Sequence, residues 1–296
     1  MGCPCEIQLF AKTDAIAQSV AKYAINEARR LEAKYSRYQA DSLLTQINDA
    51  AAHAGTIQVD NETASLLDYA QTCYEQSDGL FDVTSGVLRQ AWNFAHHRLP
   101  ESNQIKRLLK RIGWHKLRWR EPELEFLIPG MELDFGGIVK EYAADRIANL
   151  CRQQGIASGF VNLGGDVALL GPRPDGRDWQ IGILHPRNAE ETLTTIALSN
   201  GAVASSGDYQ RFMMIDNQRY SHVFNPKTGW PVRHLAAVSV VSQFCVIAGS
   251  ASTIAMLKEE NGPEWLKHLG LPHVWQDHFG NRGGTLAPMP GNETHG

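Results

Sequence analysis

The stretch E-L-D-F-G-G-I-V-K-E-Y-A-A-D-R-I-A, residues 132–148, decides the fold in the middle of the chain. It predicts a short strand ending at Asp134, a glycine pair, and then a helix over residues 138–153. The start of a helix offers free N–H groups and the positive end of the helix dipole, which suits an anion. Lys140 on the first turn is either a phosphate ligand there or an ordinary solvated lysine, and the stretch alone leaves both open.

Asp145 stands five residues after Lys140 on the same predicted helix. Five residues turn a helix by about 140° beyond a full turn, so the two side chains point different ways. We therefore expect Asp145 to pack between two lobes of the protein rather than to touch the ligand of Lys140.

Working outward from this helix, the pattern predicts a mixed α/β or α+β protein, because helices dominate the first half and strands the second. Further helices are expected over residues 14–35, 62–77, 102–112 and 248–257, and strands over 6–11, 117–128 (two short ones), 159–170, 179–184, 192–197, 202–206, 210–215 and 236–242. With no clear linker, residues 1–280 are expected to form one two-lobed domain. Residues 281–296, rich in Gly, Pro, Asn and Thr, are expected to be disordered.

The composition excludes several classes of protein. Of the 296 residues 43% are hydrophobic and 20% charged, and the net charge of −4 does not suggest a nucleic-acid surface. Five cysteines without regular spacing argue against a disulfide framework, and C-P-C at residues 3–5 is not a zinc half-site. With no signal-like or membrane-spanning segment in the given sequence, we expect a cytoplasmic protein; a trimmed leader would look the same and would make it periplasmic.

Two glycine-containing turns interrupt the strand-rich half. G-F-V-N-L-G-G-D-V-A-L-L-G, residues 159–171, places Gly164 and Gly165 between apolar strands, where their N–H groups either cradle an anion or form a hairpin turn or bulge. N-G-A-V-A-S-S-G-D-Y-Q-R-F, residues 200–212, offers hydroxyls and a glycine that suit a phosphate or a ribityl chain, or again an ordinary turn.

A third turn carries a histidine. In S-H-V-F-N-P-K-T-G-W, residues 221–230, Asn-Pro and Thr-Gly pairs predict a turn directly after His222. A lone histidine in a strand is often structural, so a catalytic role for His222 stays open on these residues alone.

Two N-terminal motifs complete the set. S-R-Y-Q-A-D-S-L-L-T-Q-I-N, residues 36–48, contains a helix-capping Ser42 and ends at Asn48. G-L-F-D-V-T-S-G, residues 79–86, combines Asp82, Thr84 and Gly86 in a polar turn. None of the motifs has the order of a serine-hydrolase triad.

Taken in order over roughly residues 1–257, these motifs resemble the ApbE-like flavin transferases, the FAD:protein FMN transferases. The landmarks are M-G, S-R-Y-Q-A-D-S-L-L-T-Q-I-N, F-D-V-T-S-G, L-D-F-G-G-I-V-K, V-N-L-G-G-D, S-S-G-D-Y, S-H-V-F-N-P-K-T-G and A-G-S-A-S-T. Eight landmarks in one order are a far more specific signal than any single one.

The resemblance implies an activity. Such enzymes bind FAD in a cleft between two lobes, with a divalent cation, usually Mg²⁺, on the pyrophosphate. They transfer the FMN half to a threonine or serine hydroxyl of a target flavoprotein and release AMP. Cleaving a phosphoanhydride in this way requires neutralised oxygens, an aligned hydroxyl and a nearby base. FAD and an acceptor flavoprotein are thus the expected partners.

The resemblance also assigns residues. His222 is the implied proton acceptor. Implied FAD-binding residues are Met1, Tyr38, Asn48, Asp82 and Thr84 in the flavin and nucleotide cleft, Gly136, Gly137 and Lys140 near the pyrophosphate, Gly164, Gly165, Ser206 and Gly207 in the backbone walls, and Thr228. Implied metal ligands are Thr253 and a backbone carbonyl near Gly137.

The chain departs from the family pattern at three positions. Asn225 replaces an aspartate after the histidine, Glu141 replaces a glycine after the lysine, and Gly249 replaces a metal-binding aspartate four residues before Thr253. Losing the charged ligand should weaken Mg²⁺ binding, because hard cations prefer carboxylate oxygens. Three hypotheses follow: an active transferase, with Glu141 a candidate replacement ligand; a member that binds FAD without transferring FMN; and a metal-dependent FAD pyrophosphatase.

Overall fold

The computed structural model describes residues 3–95 and 98–287, in which α-helices and strands are interleaved. The helices are α1 Asp14–Tyr35, α2 Leu43–Ala52, α3 Asn61–Gln76, α4 Ser102–Leu109, α5 Val139–Gln153, α6 Cys245–Leu257 and α7 Gly262–His268. The strands are β1 Cys5–Phe10, β2 Thr56–Gln58, β3 Leu117–Arg120, β4 Glu123–Phe126, β5 Ser158–Leu163, β6 Asp166–Gly171, β7 Trp179–Leu184, β8 Thr192–Leu198, β9 Ala202–Gly207, β10 Phe212–Ile215, β11 Gln218–Ser221, β12 Leu235–Ser242, β13 His273–Asp277 and β14 Arg282–Gly283. Short 3-10 helices cover Val83–Gln90, Trp114–Lys116 and Glu259–Asn261.

An antiparallel sheet organises the fold. Its strand order is β1-β5-β6-β9-β12-β13-β14, and a smaller sheet has the order β2-β4-β3. The hairpins β7-β8 and β10-β11 stand apart from both sheets. Helices α5 and α6 pack on each other and on strands of the large sheet, and α1 packs on α5. The expected mixed α+β class is confirmed.

The hairpin between β5 and β6 shows why the glycine pair is needed. Leu163 pairs with Asp166, which leaves a two-residue loop of Gly164 and Gly165 with φ of +66° and +98°. Two successive positive φ angles match the twist of an antiparallel pair, and glycine adopts them at little cost. Of the two interpretations of this motif, the hairpin turn is right for its conformation.

Asp145 joins α5 to α6. The first residues of α6 have no side-chain cap of their own, and the Asp145 carboxylate accepts hydrogen bonds from the N–H groups of Cys245 at 2.8 Å and Val246 at 2.9 Å. A carboxylate at this end of a helix satisfies unpaired donors and complements the helix dipole. Asp145 thus packs against α6, as expected for a structural role, and a position between two lobes stays a prediction.

The strand predicted to end at Asp134 does not form. Instead, the amide of Asn48 brackets Leu133: its Oδ1 accepts the Leu133 N–H at 2.7 Å and its Nδ2 donates to the Leu133 carbonyl at 3.0 Å. One side chain thus supplies the hydrogen bonds that a neighbouring strand would give. The segment is therefore held in place without belonging to a sheet.

Part of the predicted disordered tail, residues 282–287, is paired or packed with the rest of the protein. Arg282 and Gly283 pair with Gln276 and Trp275, and the Leu286 N–H donates to the His273 carbonyl at 2.9 Å. Apolar contacts in this segment made the composition a poor guide, because Leu286 packs on a small apolar cluster. Residues 288–296 lie outside the described part of the chain.

Among the described helices, none is long and apolar enough to cross a membrane.

Replacing Asp145 by alanine should lower the free energy of unfolding by about 2 kcal/mol, because two N–H groups at the start of α6 lose their acceptor. Asp145→Asn keeps one acceptor oxygen and should cost less. Urea denaturation of the two variants beside the wild type measures both effects. An alanine variant as stable as the wild type would contradict the capping role.

Candidate functional site

The centre of the candidate site is a charged cluster where the first turn of α5 meets the β5–β6 hairpin. Lys140 forms an ion pair with Asp166, and its Nζ lies 3.5 Å from Glu141 Oε1. Asp166 is 2% exposed and also accepts the Ser205 N–H at 3.0 Å. Burial lowers the pKa of Lys140, but the carboxylates of Glu141 and Asp166 outweigh it and raise that pKa above its usual value. Lys140 is therefore a charged, positioned cation and not a freely solvated lysine.

The side chain of Glu141 lies in the space beside Gly249. A Cβ atom on Gly249 would stand 2.4 Å from Glu141 Cγ, closer than real Cβ atoms approach, and 3.0 Å from its Cδ. Glu141 is 6% exposed, and its Oε2 is buried without a hydrogen-bond partner. Burial raises the pKa of Glu141 to about 7, against the opposing effect of the Lys140 charge. The pair of departures found in the sequence thus forms one contact between α5 and α6.

A hydroxyl cluster lies next to this contact, where β9 meets α6. Ser206 Oγ lies 2.8 Å from Thr253 Oγ1 and 2.9 Å from Ser252 Oγ. Thr253 follows Gly249 by four residues, one turn along the same face of α6. The structure therefore brings together Ser206 and Thr253, which the sequence placed in separate motifs.

Of the glycines predicted near the ligand, two are exposed and a third has no room for a side chain. Gly136 and Gly165 are exposed, and their N–H groups donate to Asp134 Oδ1 and Asn162 Oδ1, each at 2.9 Å. A Cβ on Gly207 would come within 2.2 Å of the Tyr209 ring. Gly137, the predicted carbonyl ligand, lies two residues before the start of α5 and therefore close in sequence to Lys140 and Glu141.

His222 directly follows β11, and one of its ring nitrogens contacts a backbone carbonyl. Its Nδ1 lies 3.2 Å from the Arg211 carbonyl oxygen. A carbonyl only accepts, so Nδ1 must donate, and in the neutral ring Nε2 keeps its lone pair. The residue is exposed by surface area, yet desolvation by the surrounding protein, with the charges of Arg211 and Lys140, lowers its pKa below 6.5. The neutral, proton-accepting form is thus favoured at neutral pH.

The turn after His222 is intact although asparagine replaces aspartate. Asn225 Oδ1 accepts the N–H groups of Lys227 at 2.9 Å and Thr228 at 3.3 Å. An aspartate would use the same oxygen, so the substitution keeps these turn contacts. Thr228 accepts the Trp230 N–H at 3.2 Å and is exposed.

Aromatic packing supports this turn from below. Trp92 is 3% exposed, stacks on Phe224 with ring centroids 5.4 Å apart, and donates from Nε1 to the Gly229 carbonyl at 2.8 Å. Gly229 has φ of +74°, and a Cβ there would stand 2.5 Å from Ile105. Trp92 is therefore a core residue, and this core supports the turn that follows His222.

The other predicted cleft residues differ in placement. Tyr38 is 80% exposed, with the Arg37 guanidinium over its ring. The amide of Asn48 is hydrogen-bonded to the backbone of Leu133. Asp82 and Thr84 are buried: Asp82 Oδ1 accepts from Thr84 Oγ1 at 2.7 Å, and Thr84 Oγ1 accepts from the Gly113 N–H at 2.8 Å. What the structure shows of Asn48, Asp82 and Thr84 is a structural role, and their contact with a ligand stays a prediction. Met1 lies outside the described residues.

Asp166, Ser252 and the Arg37–Asp134 ion pair were not among the predicted residues. Asp166 closes the V-N-L-G-G-D motif, so the signal was present but was assigned to the glycines. Arg37 and Ser252 also lie inside quoted motifs, residues 36–48 and 248–253, but their partners become visible only through tertiary contacts.

The charged cluster could orient a phosphate and hold a cation, though not by acidic residues alone. Across residues 3–95 and 98–287, no three His, Cys, Asp or Glu side chains converge as a metal-binding group. A cation here would need hydroxyl, carbonyl and phosphate oxygens beside one carboxylate, a combination that suits Mg²⁺. A separate surface cavity of about 720 Å³, bordered by Arg187, Arg219 and His278 among others, contains none of the predicted site residues.

Comparison with known proteins identifies the family of this chain. The model of the ApbE family matches residues 1–275. A relative from Klebsiella pneumoniae strain 342, named FAD:protein FMN transferase, is 29% identical over 82% of this chain and 75% of its own length. One of the same name from Escherichia coli K12 is 28% identical over 80% of this chain and 70% of its own length.

Solved structures show the same fold. The ApbE protein of Thermotoga maritima MSB8 superposes with a TM-score of 0.87 at 29% identity, covering 96% of this chain and 94% of that protein. The flavin transferase ApbE of Vibrio cholerae gives a TM-score of 0.85 at 24% identity, covering 96% and 94% of the two chains. With the family model matching nearly the whole chain, the protein belongs to the ApbE family.

Proposed function

We propose that this protein transfers the FMN part of FAD to a threonine or serine hydroxyl of an acceptor flavoprotein and releases AMP. The observation that carries the proposal is His222, whose Nδ1 is fixed on the Arg211 carbonyl, leaving Nε2 free to accept a proton. Membership of the ApbE family supports the same reaction.

The transfer is a displacement at phosphorus. The acceptor oxygen forms a bond to the FMN phosphorus while the phosphoanhydride bond to AMP breaks, and the hydroxyl proton passes to His222 Nε2. A neutral imidazole is required for that step, which agrees with the lowered pKa of His222. The backbone N–H and Nδ1 of His222 both bond the Arg211 carbonyl, which fixes the base, and the aromatic core packs under the turn that follows.

Lys140 is the residue that would neutralise negative charge on the phosphates of FAD. Its ammonium stays protonated between two carboxylates and lies on the first turn of α5, the end of the helix whose dipole favours an anion. Fixed donors and cations of this kind stabilise the negative charge that develops on transferred phosphoryl groups.

We also propose Mg²⁺ as the cofactor. The buried Glu141 oxygen without a partner and the hydroxyl of Thr253 are the features that fit a cation, together with a backbone carbonyl near Gly137. When bound, the ion would neutralise pyrophosphate charge and activate the anhydride. A cytoplasmic location, with a cytoplasmic acceptor, stays a prediction.

Two other outcomes remain distinguishable by experiment. Incubating the purified protein with FAD, Mg²⁺ and a flavoprotein that carries an acceptor threonine should give AMP and a covalent FMN adduct by mass spectrometry, both abolished by EDTA. AMP without adduct would indicate an FAD pyrophosphatase. FAD returned intact would indicate a flavin-binding protein without transferase activity, and either result would contradict the proposal.

His222→Ala should lower the transfer rate by about 10²- to 10⁴-fold, because the acceptor hydroxyl loses its proton acceptor. Flavin fluorescence should show nearly unchanged FAD binding. The matched control is His268→Ala, which removes an exposed histidine of α7 and should transfer FMN at the wild-type rate. Equal rates for His222→Ala and the wild type would rule out His222 as the base.

The transfer rate should rise with pH through an apparent pKa below 6.5. The neutral form of His222 is the active one, and desolvation lowers its pKa from 6.5, so activity is lost as pH falls through that lowered value and is retained above it. A pH–rate profile at saturating FAD measures the midpoint. A midpoint clearly above 7, or an unchanged profile in His222→Ala, would contradict the assignment.

A further inference from the structure

We infer that Glu141 is the carboxylate ligand of the divalent cation, and that it reaches the site from α5 in place of a carboxylate at position 249 on α6. This assignment rests on the proposed function, because the cation is expected on the FAD pyrophosphate. It concerns residues of this chain that depart from the family pattern.

Space is the first argument. The Glu141 side chain occupies the volume that a residue other than glycine at 249 would need, since a Cβ there would stand 2.4 Å from Glu141 Cγ. A glutamate at 141 and an aspartate at 249 therefore exclude each other without rearrangement of the packed α5–α6 contact. The two departures are therefore linked: this chain has the carboxylate on α5 at Glu141 and the glycine on α6 at Gly249, whereas the family pattern has the glycine on α5 and the carboxylate on α6.

The second argument is the unsatisfied oxygen. Glu141 Oε1 faces the Lys140 ammonium at 3.5 Å, while Oε2 is buried with no hydrogen-bond partner among the described residues. A buried carboxylate oxygen without a donor costs free energy unless a ligand completes it. Asp166 already binds Lys140 and the Ser205 N–H, so it has less capacity to serve the same purpose.

The third argument is the set of neighbours. The Glu141 carboxylate lies beside Gly249, and Thr253 follows Gly249 by one helical turn. The Thr253 hydroxyl is 2.8 Å from Ser206 Oγ. Gly137 is four residues before Glu141, at the entry to the same helix. One carboxylate, a hydroxyl, a carbonyl and the phosphates of a nucleotide form an oxygen set of the kind that Mg²⁺ accepts.

The test is binding of Mn²⁺, a paramagnetic substitute for Mg²⁺, measured by electron paramagnetic resonance of the full-length protein with FAD. Glu141→Gln keeps the shape but removes the charge, and should weaken Mn²⁺ binding at least about tenfold. The double variant Glu141→Gly with Gly249→Asp moves the carboxylate to α6 and should restore affinity to within about threefold of the wild type. The single variant Glu141→Gly should bind Mn²⁺ as weakly as Glu141→Gln.

Asp145→Asn is the matched control, because it makes the same acid-to-amide change one turn along α5, where the carboxylate caps α6. It should bind Mn²⁺ like the wild type. Thermal melting of every variant checks folding, and the double variant carries the test if Glu141→Gln is unstable.

Wild-type Mn²⁺ affinity in a folded Glu141→Gln variant would overturn the assignment, as would a wild type that binds no Mn²⁺ in the presence of FAD. A folded double variant that still binds Mn²⁺ weakly would contradict the claim that a carboxylate on α6 can replace the one on α5. FMN transfer is scored separately on the same samples. Loss of Mn²⁺ in Glu141→Gln beside a wild type that transfers no FMN would support the ligand and refute the proposed reaction, so the two failures can be told apart.

Discussion

The ion pair between Lys140 and Asp166 is the constraint on which the site depends. It ties the first turn of α5 to the hairpin that joins β5 and β6, and Asp166 passes the connection on to β9 through the Ser205 N–H. Because Asp166 is almost fully buried, removing Lys140 would leave an unpaired charge, at a cost of roughly 3–5 kcal/mol. The pair therefore fixes the relative position of the glycine hairpin, the helix start and the hydroxyls of Ser206 and Thr253.

Charge balance within this cluster explains why one carboxylate can change helices. Lys140 lies between Asp166 and Glu141, so its charge offsets part of the cost of burying a carboxylate on α5. Gly249 provides the room, and the small residues of α6 let α5 approach closely. What matters to a bound cation is where the oxygen lies, and two different backbone positions can supply it.

Much of the fold could be predicted from the sequence, because its signals are local. The bounds of α1 and β7 follow from periodicity and agree with the structure, and the paired glycines correctly indicate a tight turn. The 3-10 helix Val83–Gln90 and the short helix α7 were missed, since neither has a long apolar period. The prediction of a strand before Asp134 was wrong because of a tertiary contact. The amide of Asn48, far away in sequence, makes the hydrogen bonds of Leu133 that a neighbouring strand would make.

The candidate site was predictable in its motifs but not in its contacts. His222, Lys140 and Thr253 belong to recognisable turns and helix starts, whereas the overlap of Glu141 with the space at Gly249 joins residues 108 positions apart. The most direct measurement is a crystal structure with FAD and Mn²⁺, in which anomalous scattering locates the ion. We predict a peak bonded to Glu141 and Thr253 beside the pyrophosphate, with His222 facing the FMN phosphorus. A peak away from Glu141, or FAD bound away from His222, would contradict the proposed site.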